Sequence, residues 1–125
     1  ISKFQVRIEK LDTRWTSSLT IGVLGFSPKK LSFPESALNI KKQAWLIQGN
    51  AVFRSGTKVK ERYGPNLDHL QTGHVVGLYI DDDAALHMSV NGVDQGVAAI
   101  DMPAVCYVVL DLYGQCEQVC HLCFM

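Results

Sequence analysis

Thiol and imidazole side chains cluster near the end of the chain, where three of the four cysteines fall within the last ten residues. The cluster contains Cys116, Cys120, His121 and Cys123, and Cys106 lies upstream. Zinc takes four tetrahedral ligands, usually as two short-spaced pairs from separate loops. Here the cluster occupies one presumed strand, on which Cys120 and His121 point to opposite faces. The pattern therefore favours reduced thiols that fill a core, as in an intracellular protein, and we expect no metal site.

Other combinations of reactive side chains are incomplete. A calcium-binding loop would need a glycine and a distal glutamate after the run Asp81-Asp82-Asp83, and the sequence has neither at the required positions. The aspartates are therefore better interpreted as a turn. Ser55-Gly56-Thr57-Lys58 lacks the residue order of a phosphate-binding loop. No Gly-x-Ser-x-Gly element accompanies the histidines, and His87 falls on the polar side of its strand, which predicts surface exposure. We expect neither an enzyme nor a cofactor.

A basic pattern is the more informative feature. Lys58, Lys60 and Arg62 are spaced by two, so in an extended segment they would project from one face. Arg54 lies just upstream and Tyr63 follows. One interpretation is a solvated face whose like charges discourage aggregation between sheet edges. The other is a basic stripe that meets an acidic or phosphorylated segment of a partner.

The two tryptophans raise a similar choice between core and ligand contact. The strand context of Trp45 favours a core position, whereas Trp15 lies in a polar Thr-Arg-Trp-Thr-Ser setting that favours partial exposure. Loops on a β-scaffold commonly carry recognition. The predicted partner-binding set is Arg14, Trp15, Arg54, Lys58, Lys60, Arg62, Tyr63 and Asn66.

Length and charge restrict the elements that can position these residues. The 125 residues are enough for one domain, spanning 1–125, with a core that needs no metal or disulfide. Twelve basic residues balance twelve acidic ones, which argues against nucleic acid or an anionic membrane as partner. No apolar run reaches the length of a membrane span. Because the first residue is Ile1, we expect the domain to be a piece of a longer protein.

Hydrophobic residues alternate with polar ones over much of the chain, which predicts strands rather than helices. The clearest alternations are Phe4 to Lys10, Leu19 to Val23 and Leu86 to Val90. Further short strands are expected at Trp45–Ile47, Ala51–Phe53 and Val75–Ile80, and a fully buried strand at Cys106–Leu112. Asn91-Gly92 between apolar residues predicts a type I′ hairpin turn. Leu67 to Leu70 is expected to add one helical turn. Nine or ten strands make the chain all-β, a sandwich or a barrel.

Several segments in order resemble the Neuralized homology repeat (NHR) domain. They are Leu11–Val23, Phe33–Ala37, Gln43–Trp45, Leu70–Leu78, Leu86–Gly96 and Val108–Cys116. Each is weakly specific alone, but their order and spacing extend over nearly the whole chain. The likeness is greatest to repeats of multi-repeat relatives that lack a RING. It departs at His74, where many members carry an acidic residue after the glycine.

This resemblance implies an antiparallel two-sheet β-sandwich, SPRY-like in form, that binds proteins without catalysis. It implies substrate recognition or scaffolding for ubiquitin-ligase machinery, with a protein or peptide ligand that includes ubiquitin-ligase or centrosomal proteins. It also implies neighbouring repeats in a longer chain and a cytoplasmic, centrosomal location. Two alternatives stay open. One is a carbohydrate-binding sandwich that uses Trp15, Asn91 and Asp81; the other is a purely structural repeat that packs on its neighbours.

Overall fold

A computed structural model describes residues 2–7, 19–26, 42–69, 73–112 and 123–124. Within them the chain forms ten strands and one short 3-10 helix, Leu67–His69. The strands are β1 Ser2–Arg7, β2 Leu19–Leu24, β3 Ala44–Gln48, β4 Ala51–Arg54, β5 Thr57–Lys60, β6 Val75–Ile80, β7 Leu86–Val90, β8 Val93–Ala99, β9 Tyr107–Leu112 and β10 Cys123–Phe124. Among these residues no helix has the length and hydropathy needed to cross a bilayer.

The strands form two sheets in which every pair is antiparallel. The smaller sheet has the order β1-β6-β7-β8, and the larger has the order β10-β9-β2-β3-β4-β5. Strands β5 and β8 are therefore edge strands, one in each sheet. The predicted all-β, two-sheet antiparallel sandwich is confirmed, and its SPRY-like character is consistent with this topology.

The main core lies between the two sheets and follows the predicted alternation. Leu86 and Met88 on β7 point into it and are fully buried, as are Val76 on β6 and Ile21 and Val23 on β2. The bounds predicted for β6 and β7 match the observed ones at both ends. Burying such side chains removes apolar surface from water, which supplies the main driving force for folding.

A second apolar cluster covers the other face of the larger sheet. Leu24, Ala44, Leu46 and Val109 are buried there, with Phe26 and Tyr107 packed against them. Strand β2 is consequently buried along its whole length. At Gly22 a Cβ would lie 2.8 Å from the Leu46 Cα, so this strand approaches β3 too closely for a side chain.

The hairpin between β7 and β8 has the predicted turn chemistry. Asn91 and Gly92 have φ angles of 52° and 83°, the two positive values that a type I′ turn requires. The Asn91 side chain also accepts a hydrogen bond from the Val75 backbone N–H at 2.9 Å, which joins the turn to the start of β6.

Candidate functional site

Four cations follow the free edge of the larger sheet. Arg54 ends β4, Lys58 and Lys60 lie on β5, and Arg62 follows β5; all four are exposed. We call this set the basic edge. Glu61 is the only carboxylate in the segment from 54 to 62, so positive charge dominates locally although the whole chain is neutral.

The basic edge is not a single stripe, because β5 contains a bulge. Lys58 is the register partner of Phe53, whereas Lys60 is the partner of Val52, so one step along β4 corresponds to two along β5. Val59 is thus the additional residue, and it is exposed. A bulge interrupts the alternation of side chains between the two faces. The prediction that Lys58, Lys60 and Arg62 share one face is therefore wrong.

The two lysines take different directions as a result. The Lys58 ammonium lies 6.0 Å from the ring centre of Phe53 and 3.7 Å from a Glu61 carboxylate oxygen. The Lys60 ammonium instead lies 5.3 Å from the Tyr63 ring centre and donates to the Val97 carbonyl of β8 at 3.0 Å. Lys60 consequently bridges the two sheets, while Lys58 stays with its own sheet.

Tyr63 belongs to the core rather than to a binding surface. Its side chain is only 2% exposed. The hydroxyl donates to the Gly96 carbonyl at 2.6 Å and accepts from the Met88 backbone N–H at 3.0 Å. Burial raises the pKa of Tyr63 to about 12, so it holds its proton. Partner contact by Tyr63 stays a prediction; in the folded domain its ring and hydroxyl fasten the 61–66 segment to the smaller sheet.

Asn66 has a local structural contact. Its side-chain oxygen accepts from the Asp68 backbone N–H at 2.9 Å, at the start of the short 3-10 helix. The Leu67 backbone N–H donates to the Gly49 carbonyl at 2.8 Å, which places this segment on the β3–β4 turn. Arg54 lies at the other end of β4. The structure therefore does not bring Asn66 and Arg54 together.

Arg54 and Arg62 mark the two ends of the basic edge. The Arg54 guanidinium lies 6.0 Å from the ring centre of Trp45, which is 7% exposed and part of the core, as predicted for this tryptophan. Arg62 has a left-handed φ of 54° and, within the described part of the chain, no hydrogen bond or ion pair. Arg62 is exposed.

Of the other residues singled out in the sequence, some lie outside the described ranges and others inside them. Arg14 and Trp15 lie outside the described residues, as do Cys116 and Cys120. Cys106 is buried, and its thiol donates to the Pro103 carbonyl at 3.2 Å. Burial raises the pKa of this thiol, which keeps it protonated and inert. No group of three or more potential metal ligands occurs among the residues with described positions.

A polar cluster on the smaller sheet was not anticipated. The His87 Nε2 lies 2.7 Å from an Asp81 carboxylate oxygen, and its Nδ1 lies 3.2 Å from an Asp94 oxygen. Tyr79 stacks on the imidazole with ring centres 4.5 Å apart and donates its hydroxyl to Asp94 at 2.8 Å. We call these four residues the His87 cluster. His87 is 9% exposed, so its predicted surface exposure is wrong.

Each carboxylate of the cluster also fixes backbone. One Asp81 oxygen accepts from the Asp83 and Ala85 N–H groups at 2.9 and 3.0 Å, which confirms the turn predicted there. One Asp94 oxygen accepts from the Gly96 N–H at 2.9 Å, next to an irregularity in the β7–β8 pairing. Both carboxylates therefore connect the imidazole to the loop before β7 and to the edge strand β8.

These contacts shift the ionisation of the cluster. Burial alone lowers the pKa of His87, but the hydrogen bonds to Asp81 and Asp94 outweigh it and the pKa is raised. Backbone N–H donation, from Ala85 to Asp81 and from Gly96 to Asp94, is the main cause that lowers both carboxyl pKa values; the His87 ring lowers them further. The cluster is thus a charged, internally satisfied unit.

The fold places the chain in the class of antiparallel, SPRY-like β-sandwich domains. In this domain the Lys60 side chain of edge strand β5 contacts edge strand β8 of the other sheet. The family model described as Neuralized matches residues 2–123, so the chain belongs to the Neuralized family. The fold is similar to the crystal structure of the neuralized NHR1 domain from Drosophila melanogaster. That likeness has a TM-score of 0.60 at 16% sequence identity and covers 99% of this chain and 71% of that one. NHR domains are protein-interaction modules.

Proposed function

We propose that this domain is a non-catalytic recognition module that presents a protein ligand to ubiquitin-ligase machinery. The segment of the ligand that it binds is acidic or phosphorylated. The observation that carries this proposal is the basic edge, where Arg54 and Arg62 are exposed at the two ends of β5. Arginine guanidinium groups recognise carboxylates and phosphates in bidentate geometry. Family membership supports protein binding as the general activity.

Side-chain recognition fits this edge better than the addition of a foreign strand. A peptide that extends a sheet needs a regular row of backbone donors and acceptors. Strand β5 has only four residues and contains a bulge, both of which disfavour such pairing. A ligand held through guanidinium groups needs no such regularity.

The proposal also includes the setting of the domain. We propose a cytoplasmic and centrosomal location and neighbouring repeats in a longer chain, supported by the resemblance to multi-repeat family members. Fluorescence imaging of the tagged chain tests the location. A diffuse signal that does not coincide with a centrosome marker would contradict the centrosomal part.

Affinity capture from cell lysate, quantified by mass spectrometry, tests the function. The immobilised domain should enrich ubiquitin-ligase components or their substrates. Arg54→Gln/Arg62→Gln should lose them, because both variants remove a charged, bidentate donor. Lys42→Gln, at another exposed cation outside the basic edge, should retain them.

Each outcome has a distinct meaning. Enrichment that survives the double variant would keep the function and reject the basic edge as its site. Enrichment confined to proteins unrelated to ubiquitin transfer would reject the ligase role. Capture of glycoproteins that free sugar displaces would favour the carbohydrate-binding alternative.

A further inference from the structure

The His87 cluster joins two parts of the smaller sheet through side chains. Asp81 belongs to the connection between β6 and β7, and Asp94 belongs to the edge strand β8. The imidazole lies between them, with one ring nitrogen directed at each carboxylate, at 2.7 and 3.2 Å. This geometry places a single titratable ring in contact with two anions from different elements.

Both contacts are hydrogen bonds only when the ring carries two protons. Imidazolium has two N–H donors, whereas neutral imidazole has one donor and one lone pair. After deprotonation, one nitrogen must therefore direct its lone pair at a carboxylate, which is repulsive. Because the contact between Nε2 and Asp81 is the shorter one, we expect Nε2 to keep the remaining proton and the contact between Nδ1 and Asp94 to be lost.

We propose that His87 is a proton-operated clasp, which fastens edge strand β8 to the β6–β7 turn when its ring is doubly protonated and releases β8 when the ring is neutral. The Asp94 oxygen that faces Nδ1 is also the oxygen that accepts the Gly96 backbone N–H. Movement of this carboxylate away from the neutral ring therefore disturbs the backbone of β8 at Gly96.

The groups that face His87 from the packed elements are consistent with this assignment. Tyr79 on β6 stacks on the ring and donates to Asp94, while Asp81 and Asp94 supply the two negative charges. On β8 the register partner of His87 is Val97, which carries no charge. On β1 the register partner of Tyr79 is Lys3, two strands away from His87. The imidazole therefore interacts directly with two anions and no described cation.

Release of β8 would disturb two hydrogen bonds that join the sheets. The Gly96 and Val97 carbonyls accept hydrogen bonds from the Tyr63 hydroxyl and the Lys60 ammonium. Lys60 belongs to the basic edge, and Tyr63 directly follows this edge in the sequence. A change in the backbone at Gly96 thus shifts the acceptors on which Lys60 and Tyr63 are anchored.

The pH window follows from the pKa shifts. The pKa of His87 is raised above its ordinary value of 6.5, so the clasp is fully closed below 6.5 and opens as pH rises through the higher folded-state value. The pKa values of Asp81 and Asp94 are lowered from 3.8, so their charges persist until pH falls below that value. The clasp is closed between these limits.

Amide hydrogen exchange of the 125-residue chain, measured by NMR, tests the clasp. After correction for intrinsic exchange, the protection of Gly96 should fall about fivefold as pH rises from below 6.5 through the folded-state pKa of His87, the effect expected of one partly exposed charged contact. Leu78, on β6 in the same sheet, should show no such step. His87→Gln and Asp94→Asn should abolish the step, whereas His69→Gln, at an exposed histidine, should preserve it.

A measurement on the unmodified protein remains decisive if either variant fails to fold. Nitrogen chemical shifts of the His87 ring should show two N–H groups at low pH and the Nε2–H tautomer at high pH, with the Gly96 amide shift following the same midpoint. A ring that titrates while Gly96 is unaffected would overturn the proposal. So would a neutral ring with its proton on Nδ1, or equal pH dependence of Gly96 in His87→Gln.

Discussion

The basic edge and the His87 cluster both carry charged side chains, but they differ in the partners that those side chains have. In the His87 cluster both carboxylates lie within hydrogen-bonding distance of the imidazole, which balances their charge when the ring is doubly protonated. On the basic edge, Arg62 has no partner in the described part of the chain, and the ion pair between Lys58 and Glu61 is exposed and 3.7 Å long. Exposed pairs of this kind contribute little to stability. The charges of the His87 cluster therefore serve the fold, whereas on the basic edge only Lys60 joins the two sheets.

Tyr63 and Lys60 connect these two regions, so the largest expected effect is at Tyr63. Tyr63→Ala should lower the free energy of unfolding by about 3–5 kcal/mol, since it removes a buried aromatic ring and leaves a cavity. Tyr63→Phe should cost less, about 1–3 kcal/mol, because it leaves the Met88 N–H without its acceptor. Urea unfolding followed by circular dichroism measures both. Equal stability of Tyr63→Phe and the unmodified chain would show that the hydroxyl does not fasten the sheets.

The free energy of unfolding should depend on pH because of the His87 cluster. The pKa of His87 is raised from 6.5, so the charged ring stabilises the fold below that value and this contribution is lost as pH rises through the folded-state pKa. His87→Gln should therefore be less stable than the unmodified chain at about pH 5.5, by up to about 1 kcal/mol, since solvent screens partly exposed ion pairs. The difference should shrink as pH rises through the folded-state pKa of His87. Thermal melts at matched ionic strength measure it, and a difference that grows with pH would contradict the assignment.

The bulge in β5 predicts that two neighbouring lysines differ. Lys60→Ala removes a hydrogen bond to the Val97 carbonyl and should cost about 1 kcal/mol. Lys58→Ala removes only an exposed ion pair and should change stability by less than about 0.5 kcal/mol. Chemical denaturation of the two variants side by side checks this order. The reverse order would mean that the two lysines are not separated in the way the register indicates.

Arg62→Gln should have the smallest effect on the free energy of unfolding and the largest effect on ligand binding. Arg62→Gln should leave the free energy of unfolding within about 0.5 kcal/mol of the unmodified chain, because its guanidinium is exposed. Its affinity for a captured ligand should fall at low salt, and the loss should shrink as salt rises, because added ions screen surface charges. Titration calorimetry at two ionic strengths measures this. A strongly destabilised Arg62→Gln would assign the arginine to the fold instead.

The sequence predicted the parts of the fold that depend on local alternation. Val75–Ile80 and Leu86–Val90 were predicted with their observed bounds because period two and turn residues are local signals. Trp45 was predicted as a core residue for the same reason. Arg54, Lys58, Lys60 and Arg62 were found as a charged segment, although their role in binding stays a prediction.

The predictions that failed depend on contacts between distant segments. The bulge at Val59 cannot be read from β5 alone, because it is a property of its pairing with β4. The sequence shows only that Tyr63 follows the basic segment, and its core position depends on hydrogen bonds to Gly96 and Met88 on the other sheet. His87 was assigned correctly to the outer side of its strand. Its burial requires Asp94 from β8, which no periodicity predicts.

The hydrogen bond between Lys60 and the Val97 carbonyl also affects how the domain behaves in a crowded solution. Strand β8 is an edge strand, so its free backbone groups are where the sheet of a neighbouring molecule could pair. The Val97 oxygen already receives the Lys60 ammonium, so a strand that paired with this oxygen would first have to displace a charged side chain. Lys60 therefore disfavours sheet growth at this point of β8 by the same contact that joins the two sheets.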